Sequence, residues 1–461
     1  MKRIIIAGLA LGLAATSALA QQTGINAADM KNIKESYNIN DPYTRAMTNA
    51  LSNNDVKKLA LNRENLDEFD HFFKYRVKVS GITNQKSSGR CWMFTSFNTL
   101  RPKVMEKLNI SKFDFSHNYL YFWDIFEKSN LFLENIIETA NEPIDSRIVQ
   151  WHFKSPIGDG GVWNSFVNLI KKYGAVPKEV MPETRTSENT GMLNRLIKRK
   201  LREQGYQLRK MIEAKKSATD IRAAKVQMMG DIYRMLALNL GEPPTEFTWR
   251  YKNKEGVVSE LKEYTPLGFA AEMFPNINYN DYIMLMNDPT RPYYKMYEIE
   301  NYRNVSEGIN WKYINLPNDV LKNVAMESIK ANEAMYASCD VGKQLNNSIG
   351  VSDINNYDYE AVYGVKFGMD KTARILTRES GSSHGMALIA VDVDKNEKPI
   401  KWQFENSWGA SSGHNGYLTF SDKWFDEYMF RLVVQKRFLP KKVQKVLKDK
   451  VVMLPRWDFM Y

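Results

Sequence analysis

The residue whose setting first suggests chemistry is Cys91. A polar run, Asn84-Gln85-Lys86-Ser87-Ser88-Gly89-Arg90, stops at this cysteine, and an apolar run of Trp92, Met93, Phe94, Phe97 and Leu100 begins. This pattern predicts a loop feeding a helix, with Cys91 at or near the first turn. Free N–H groups and the helix dipole favour a thiolate there, and Arg90 adds a positive charge beside it. A thiol already partly ionised near neutral pH can serve as a nucleophile. A small hydrophobe packed in a core is the alternative that these residues alone leave open.

Two later stretches could supply partners. His384 stands between Glu379-Ser-Gly-Ser-Ser383 and an apolar run from Met386 to Val391, which places it at a loop-to-strand junction. Such a histidine can be held rigidly at a cleft edge, and a hydrogen-bonded core histidine is the plain alternative. Lys401-Trp-Gln-Phe-Glu-Asn406-Ser-Trp408-Gly409 follows within one hairpin length. A strand ending there could set the Asn406 amide beside the imidazole, with Trp408 covering the contact. His117, His152 and His414 read as structural. Cys91 and Cys339 are the two cysteines, with neither a CxxC pair nor zinc spacing. A disulfide between them is a minor alternative, because it would block the best nucleophile.

The segment Gln85-Lys-Ser-Ser-Gly-Arg-Cys91-Trp92 resembles the active-site segment of papain-like cysteine peptidases. More closely, it resembles that of the bleomycin hydrolase and bacterial aminopeptidase C family (peptidase family C1, subfamily B). Asp159-Gly160-Gly161-Val162-Trp163, Tyr173-Gly-Ala-Val-Pro177 and Met181-Pro-Glu-Thr184 extend the similarity, as do the His384 and Asn406 segments. It runs from roughly residue 38 through residue 435, more loosely in a basic helical stretch. The resemblance implies an α+β fold: a papain-like two-lobed peptidase with a helical insertion. It implies that Cys91 attacks a peptide carbonyl and His384 moves the proton. Asn406 would orient the imidazole, and Gln85 with the Cys91 N–H would hold the oxyanion. Asp159, Gly160, Gly161 and Trp408 would then contact the peptide. No metal or organic cofactor is required by this chemistry.

The same resemblance implies a ring-like homohexamer and a C-terminus lying in the substrate cleft, where its carboxylate favours removal of N-terminal residues. The chain keeps Leu454-Pro-Arg-Trp457-Asp458 but ends in Phe459-Met460-Tyr461, unlike the usual small-residue tail. Tyr461 is therefore the tail residue expected at the substrate. An aminopeptidase is the leading expectation, with an endopeptidase or dipeptidyl-type peptidase as alternatives. A peptide- or nucleic-acid-binding homo-oligomer with little turnover is the reading from a different class.

The elements that must position these residues follow the same order. Residues 21–75 read as an N-terminal arm, 76–189 as a helical lobe carrying Cys91, and 190–245 as a helical insertion. Residues 246–453 read as a mainly β lobe carrying His384 and Asn406, and 454–461 as the tail. Pro102 predicts a kink or break in the Cys91 helix. The insertion is basic, with Arg195, Lys198, Arg199, Lys200, Arg202, Arg209 and Lys210. A solvated helical pair is the plain reading and a nucleic-acid groove the sharper one, and a formal net charge of +11 agrees with either. With 461 residues, 43% of them apolar, the chain can bury a large core and is not disordered as a whole.

Met1-Lys2-Arg3, an apolar run from Ile4 to Ala15 and Ala18-Leu19-Ala20 match a secretory signal over residues 1–20. The expectation is an exported, periplasmic or secreted protein. No later stretch is long and apolar enough to cross a bilayer, so no integral membrane association is expected after cleavage.

Overall fold

The structure is a computed structural model that describes residues 24–459 apart from 67, 275 and 276. The signal segment 1–20 and Tyr461 lie outside the described residues. Two compact units are present: Met1–Arg63 with Tyr357–Phe367, and Glu64–Asn356 with Gly368–Tyr461.

The larger unit is built on one sheet of 12 strands. At its centre Tyr282–Met286, Met429–Gln435, Met335–Cys339, His384–Val393, Pro399–Glu405 and Tyr417–Ser421 lie side by side, each antiparallel to the next. Successive strand side chains point to opposite faces. Met284, Met286, Tyr336, Phe430 and Val433 accordingly join one apolar core, while Leu285, Ala337, Leu432 and Val434 join another. Helices cover both faces, so the strand at His384 is apolar without alternation: Met386 to Val391 are all buried. This is the expected α+β fold, and the two lobes form one compact unit around a shared sheet.

The helix Cys91–Leu108 packs against the strands that begin at His384 and end at Cys339. It runs unbroken through Pro102, so of the kink and the break expected there, the break does not occur. Trp92, Met93, Phe94, Phe97, Leu100 and Val104 are buried along it.

The insertion forms two long helices, Gly191–Glu213 and Ala218–Leu240, packed on each other and on the helix His117–Glu138. Part of its basic character has a local cause. Arg202 donates to the Phe153 and Lys154 carbonyls at 2.8 and 3.0 Å, and Arg209 to the Thr139 and Glu142 carbonyls at 2.9 and 2.5 Å. These carbonyls stand at or just beyond the C-terminal ends of Arg147–Lys154 and His117–Glu138, where the backbone lacks internal donors and the dipole is negative.

The smaller unit corrects the expected 21–75 arm. Its described part stops at Arg63 and takes in Tyr357–Phe367, which the sequence had placed in the β lobe. The physical reason is burial: the polar arm finds apolar partners in Tyr357 and Val362, which pack with Ala60, Met47 and Leu51. Residues 64–75 belong to the sheet unit, where Tyr75–Arg76 pairs with the His384 strand. Capping sets the arm's helices. Asn26 makes a capping box for Ala27–Glu35, Asp41 caps Pro42–Asn53, and Asp55 caps Val56–Leu59.

The tail runs beside the sheet edge. Val452–Leu454 pairs parallel with Lys295–Ile299. Beyond it, Arg456 donates to Glu300 at 2.7 Å and to His152 at 2.9 Å, and Asp458 accepts twice from Arg291 at 3.0 and 3.2 Å.

Candidate active site

Cys91 is the first residue of its helix, and the Met93 and Phe94 N–H groups bond back to the Arg90 carbonyl. Arg90 does not offer its charge to the thiol as the sequence suggested. Its side chain is fully buried between the Phe94 and Tyr121 rings. The guanidinium meets both oxygens of Glu183, at 3.1 and 3.0 Å, and Nε donates to Ser88 Oγ at 3.0 Å. Arg90 thus braces the loop, and its charge is answered by a carboxylate.

His384 opens its strand opposite Cys339, and Asn406 follows the end of the neighbouring strand. Gly385 lets this edge lie close to the helix, since a Cβ there would meet Thr95 Oγ1 at 3.3 Å and Trp92 Cα at 3.5 Å. Asn406 Oδ1 lies 2.8 Å from His384 Nε2 and accepts the Ser407 N–H at 2.8 Å. The Ser407 donor identifies the oxygen of the amide, so Nε2 carries the proton. Nδ1 is left for the Cys91 thiol, with which the ring is hydrogen-bonded. Trp408 covers this contact, its ring centroid 4.8 Å from that of His384 at an interplanar angle of 34°.

The electrostatics follow from these contacts. Burial pushes the Cys91 thiol up, but His384 and the N–H groups of Gly385 and Trp92 outweigh it and hold the thiol below its ordinary value. Burial pushes His384 down, but Cys91 and Asn406 outweigh it and hold the imidazole above its ordinary value. The two shifts are coupled and favour a thiolate–imidazolium pair.

Gln85 lies buried beside this pair. Its N–H donates to the Ser407 carbonyl at 2.8 Å, its Oε1 accepts from Ser407 Oγ at 2.7 Å, and its Nε2 donates to the Ser88 carbonyl at 2.6 Å. Only one Nε2 hydrogen is used in that last bond, so the other can face an oxyanion. Ser407 was not singled out from the sequence. Its place between Asn406 and Trp408 was the available signal, but which loop its hydroxyl would reach is a tertiary fact.

The expected cleft wall divides into different roles. Gly161 comes so close to Trp92 that a Cβ would sit 2.6 Å from the indole, whereas Gly160 is exposed with nothing within 4 Å of its Cβ direction. Lys128 holds this wall, donating to the Gly158 and Gly160 carbonyls at 2.7 Å and to Asp124 at 2.5 Å. The Asp159 side chain has partners within the protein: its carboxylate accepts from Gly89 N–H at 2.9 Å, Tyr121 OH at 3.1 Å, Thr190 and Asn194. A cavity of about 320 Å³ is lined by Gly160, Gly161, Lys128, His152, Tyr302 and Arg456 among others. Arg456 thereby brings the tail to the glycine wall.

The other histidines have plain settings. His117 stacks on Phe94 at 3.6 Å, and burial followed by nearby cations pushes its pKa well below the ordinary value. His152 accepts from Arg456 and is pushed down to about 4 by burial and that guanidinium. His414 stacks on His71 at 3.8 Å. Cys339 is a free, buried thiol in the sheet core.

Comparison with known proteins shows the family. The model of the peptidase C1-like family matches residues 24–461. Human bleomycin hydrolase is 39% identical over 449 residues, covering 95% of this chain and 98% of the human protein. Aminopeptidase C of Lactobacillus delbrueckii subsp. lactis is 36% identical over 417 residues, covering 89% and 92%. The crystal structure of PepW from Lactobacillus rhamnosis HN001 superposes with a TM-score of 0.91 at 37% identity, over 95% of this chain and 99% of PepW. Family model, relatives and fold coincide over nearly the whole chain, which belongs to the peptidase C1-like family.

Proposed function

We infer that the protein is a cysteine aminopeptidase that works through a Cys91 thioester. The observation that carries this reading is the His384–Asn406 contact at 2.8 Å, with the other ring nitrogen facing the thiol at a helix start. The Cys91 thiolate attacks the carbonyl carbon, and its C=O π pair moves onto oxygen, toward the Gln85 amide and the Cys91 N–H. The C–N bond breaks as His384 Nδ1 gives its proton to the leaving amine. Water then attacks the thioester, losing a proton to His384, and the Cys91–carbonyl bond breaks to restore the thiolate. Asn406 holds the ring plane and tautomer throughout.

Removal of residues from the N-terminus is supported by the tail. Arg456 lines the cavity that also borders Gly160 and Gly161, so the described part of the tail reaches one end of the peptide wall. Internal cleavage is the competing specificity. Peptides with free and N-blocked amines, given to the intact protein and to a version lacking residues 455–461, separate the two. Single-residue release only from free-amine peptides supports the inference, and equal internal cleavage of blocked peptides by the intact protein contradicts it.

A homohexamer is the assembly we propose with this activity. The helix Ala27–Glu35 buries none of its residues, and Ile25, Met30 and Ile33 are exposed, as expected of a surface covered by another copy. Sedimentation equilibrium showing a monomer at micromolar concentration contradicts it. Export through residues 1–20 rests on their charge and apolar pattern, and N-terminal sequencing of the mature protein tests it. A nucleic-acid role draws less support, because Arg202 and Arg209 are engaged by helix-end carbonyls.

A further inference from the structure

We propose that Asp159 is a positioning residue for Cys91, gripping the chain on both sides of the nucleophile and tying it to the helical insertion. The proposal rests on Cys91 being the reactive thiol. Asp159 Oδ2 accepts the N–H of Gly89, two residues before Cys91, at 2.9 Å. Its backbone carbonyl accepts Nε1 of Trp92, the residue after Cys91, at 2.7 Å. One residue therefore fixes the approach to the helix and its second side chain. The contact at Gly89 is also steric, because a Cβ there would lie 2.7 Å from the Asp159 Cβ.

The carboxylate is held in turn from the far side. Thr190 donates to Oδ2 and Asn194 to Oδ1, and Tyr121 OH adds a bond to Oδ1 at 3.1 Å. Thr190 is the residue that begins the insertion helix Gly191–Glu213, and Asn194 lies in its first turn. Burial opposes the charge, but Thr190, Gly89 and Asn194 outweigh it, and the carboxyl stays below its ordinary value. Four donors converge on two oxygens, so an ionised acceptor is the species that satisfies them. An asparagine would turn one of these oxygens into a donor facing another donor. The insertion is thus a brace for the catalytic loop as well as a solvated helical pair. Small displacements of a nucleophile are expensive: an error of about 1 Å can lower a rate by roughly 10²-fold.

Asp159→Asn and Thr190→Val in the full chain test this. Two quantities are read: kcat and KM on a free-amine peptide, and the pH profile of Cys91 alkylation by iodoacetamide. Cys91→Ala serves as the blank for Cys339. Iodoacetamide is too small to depend on peptide subsites, so a substrate ligand would not affect it. For Asp159→Asn the expected result is a kcat loss of roughly 10- to 100-fold at nearly constant KM, with the alkylation profile moved to higher pH. Thr190→Val should show the same pattern more weakly, and it decides the matter if Asp159→Asn does not fold. An unshifted alkylation profile in the folded variants overturns the proposal, as does a raised KM at unchanged kcat. If the wild-type protein alkylates at Cys91 but cleaves no peptide, the peptidase reading fails while the alkylation arm still decides the role of Asp159.

Discussion

Arg101 Nη2 donates to Glu405 Oε1 at 2.6 Å, and this buried ion pair joins the helix that starts at Cys91 to the strand that delivers Asn406. Arg101 also reaches the Gly81 carbonyl at 2.9 Å and Asp114 at 3.0 Å. Nucleophile and orienting amide come from distant parts of the chain, and this guanidinium sits between their supports.

Removing Arg101 should therefore be costly. Arg101→Met leaves Glu405 buried without its cation, a change that typically costs about 3–5 kcal/mol. Burial already pushes Glu405 up to about 7, with Arg101 holding it down. A carboxyl whose folded pKa is raised binds protons more readily when folded, so its contribution to stability fades as pH rises toward 7. Without Arg101 the folded carboxyl titrates higher still, so the Glu405 share of the Arg101→Met deficit should be small near pH 5, where the carboxyl is protonated in both folded proteins, and widen as pH rises through 7 to 9. Urea unfolding at pH 5 and pH 9 measures it.

The orienting role of Asn406 makes a prediction about pH. The active pair exists between the lowered Cys91 pKa and the raised His384 pKa. Activity should rise as the thiol ionises and fall as the imidazolium loses its proton. The Asn406 hydrogen bond is one of the contacts that raise His384. Asn406→Ala should move the alkaline limb of kcat/KM to lower pH and reduce kcat by roughly 10- to 100-fold. A limb that stays in place removes Asn406 from this role.

Gln85 and Ser407 should behave as one unit. Loss of a single oxyanion donor costs about 10²- to 10³-fold in kcat, which is the expectation for Gln85→Ala with KM little changed. Ser407→Ala frees the amide to turn and should cause a smaller loss of the same kind. The double variant should be no slower than Gln85→Ala, because both changes disable one hydrogen bond. Additive losses contradict the coupling.

Much of this site was legible because its parts are local motifs. Cys91 at a polar-to-apolar switch, His384 before an apolar run and Asn406 at a strand end each carry their own signal in the sequence. What could not be read were the long-range partners. Arg90 reads as a charge for Cys91 in the sequence, whereas Glu183 meets both of its terminal nitrogens. Nothing in the Asp159 segment signals that Thr190 and Asn194 of the insertion meet its carboxylate. The arm's apolar partner, Tyr357–Phe367, lies some three hundred residues away, beyond the reach of periodicity or capping.

Cys91 cutting peptides from the amino end is the central claim. Mass spectrometry of one peptide with a free amine and its N-acetylated twin, incubated with the wild-type protein and with Cys91→Ala, tests this directly. The expected result is stepwise release of single N-terminal residues from the free peptide by the wild-type protein alone, with the acetylated peptide intact. Turnover by Cys91→Ala, or equal cleavage of the acetylated peptide at internal bonds, would contradict the account.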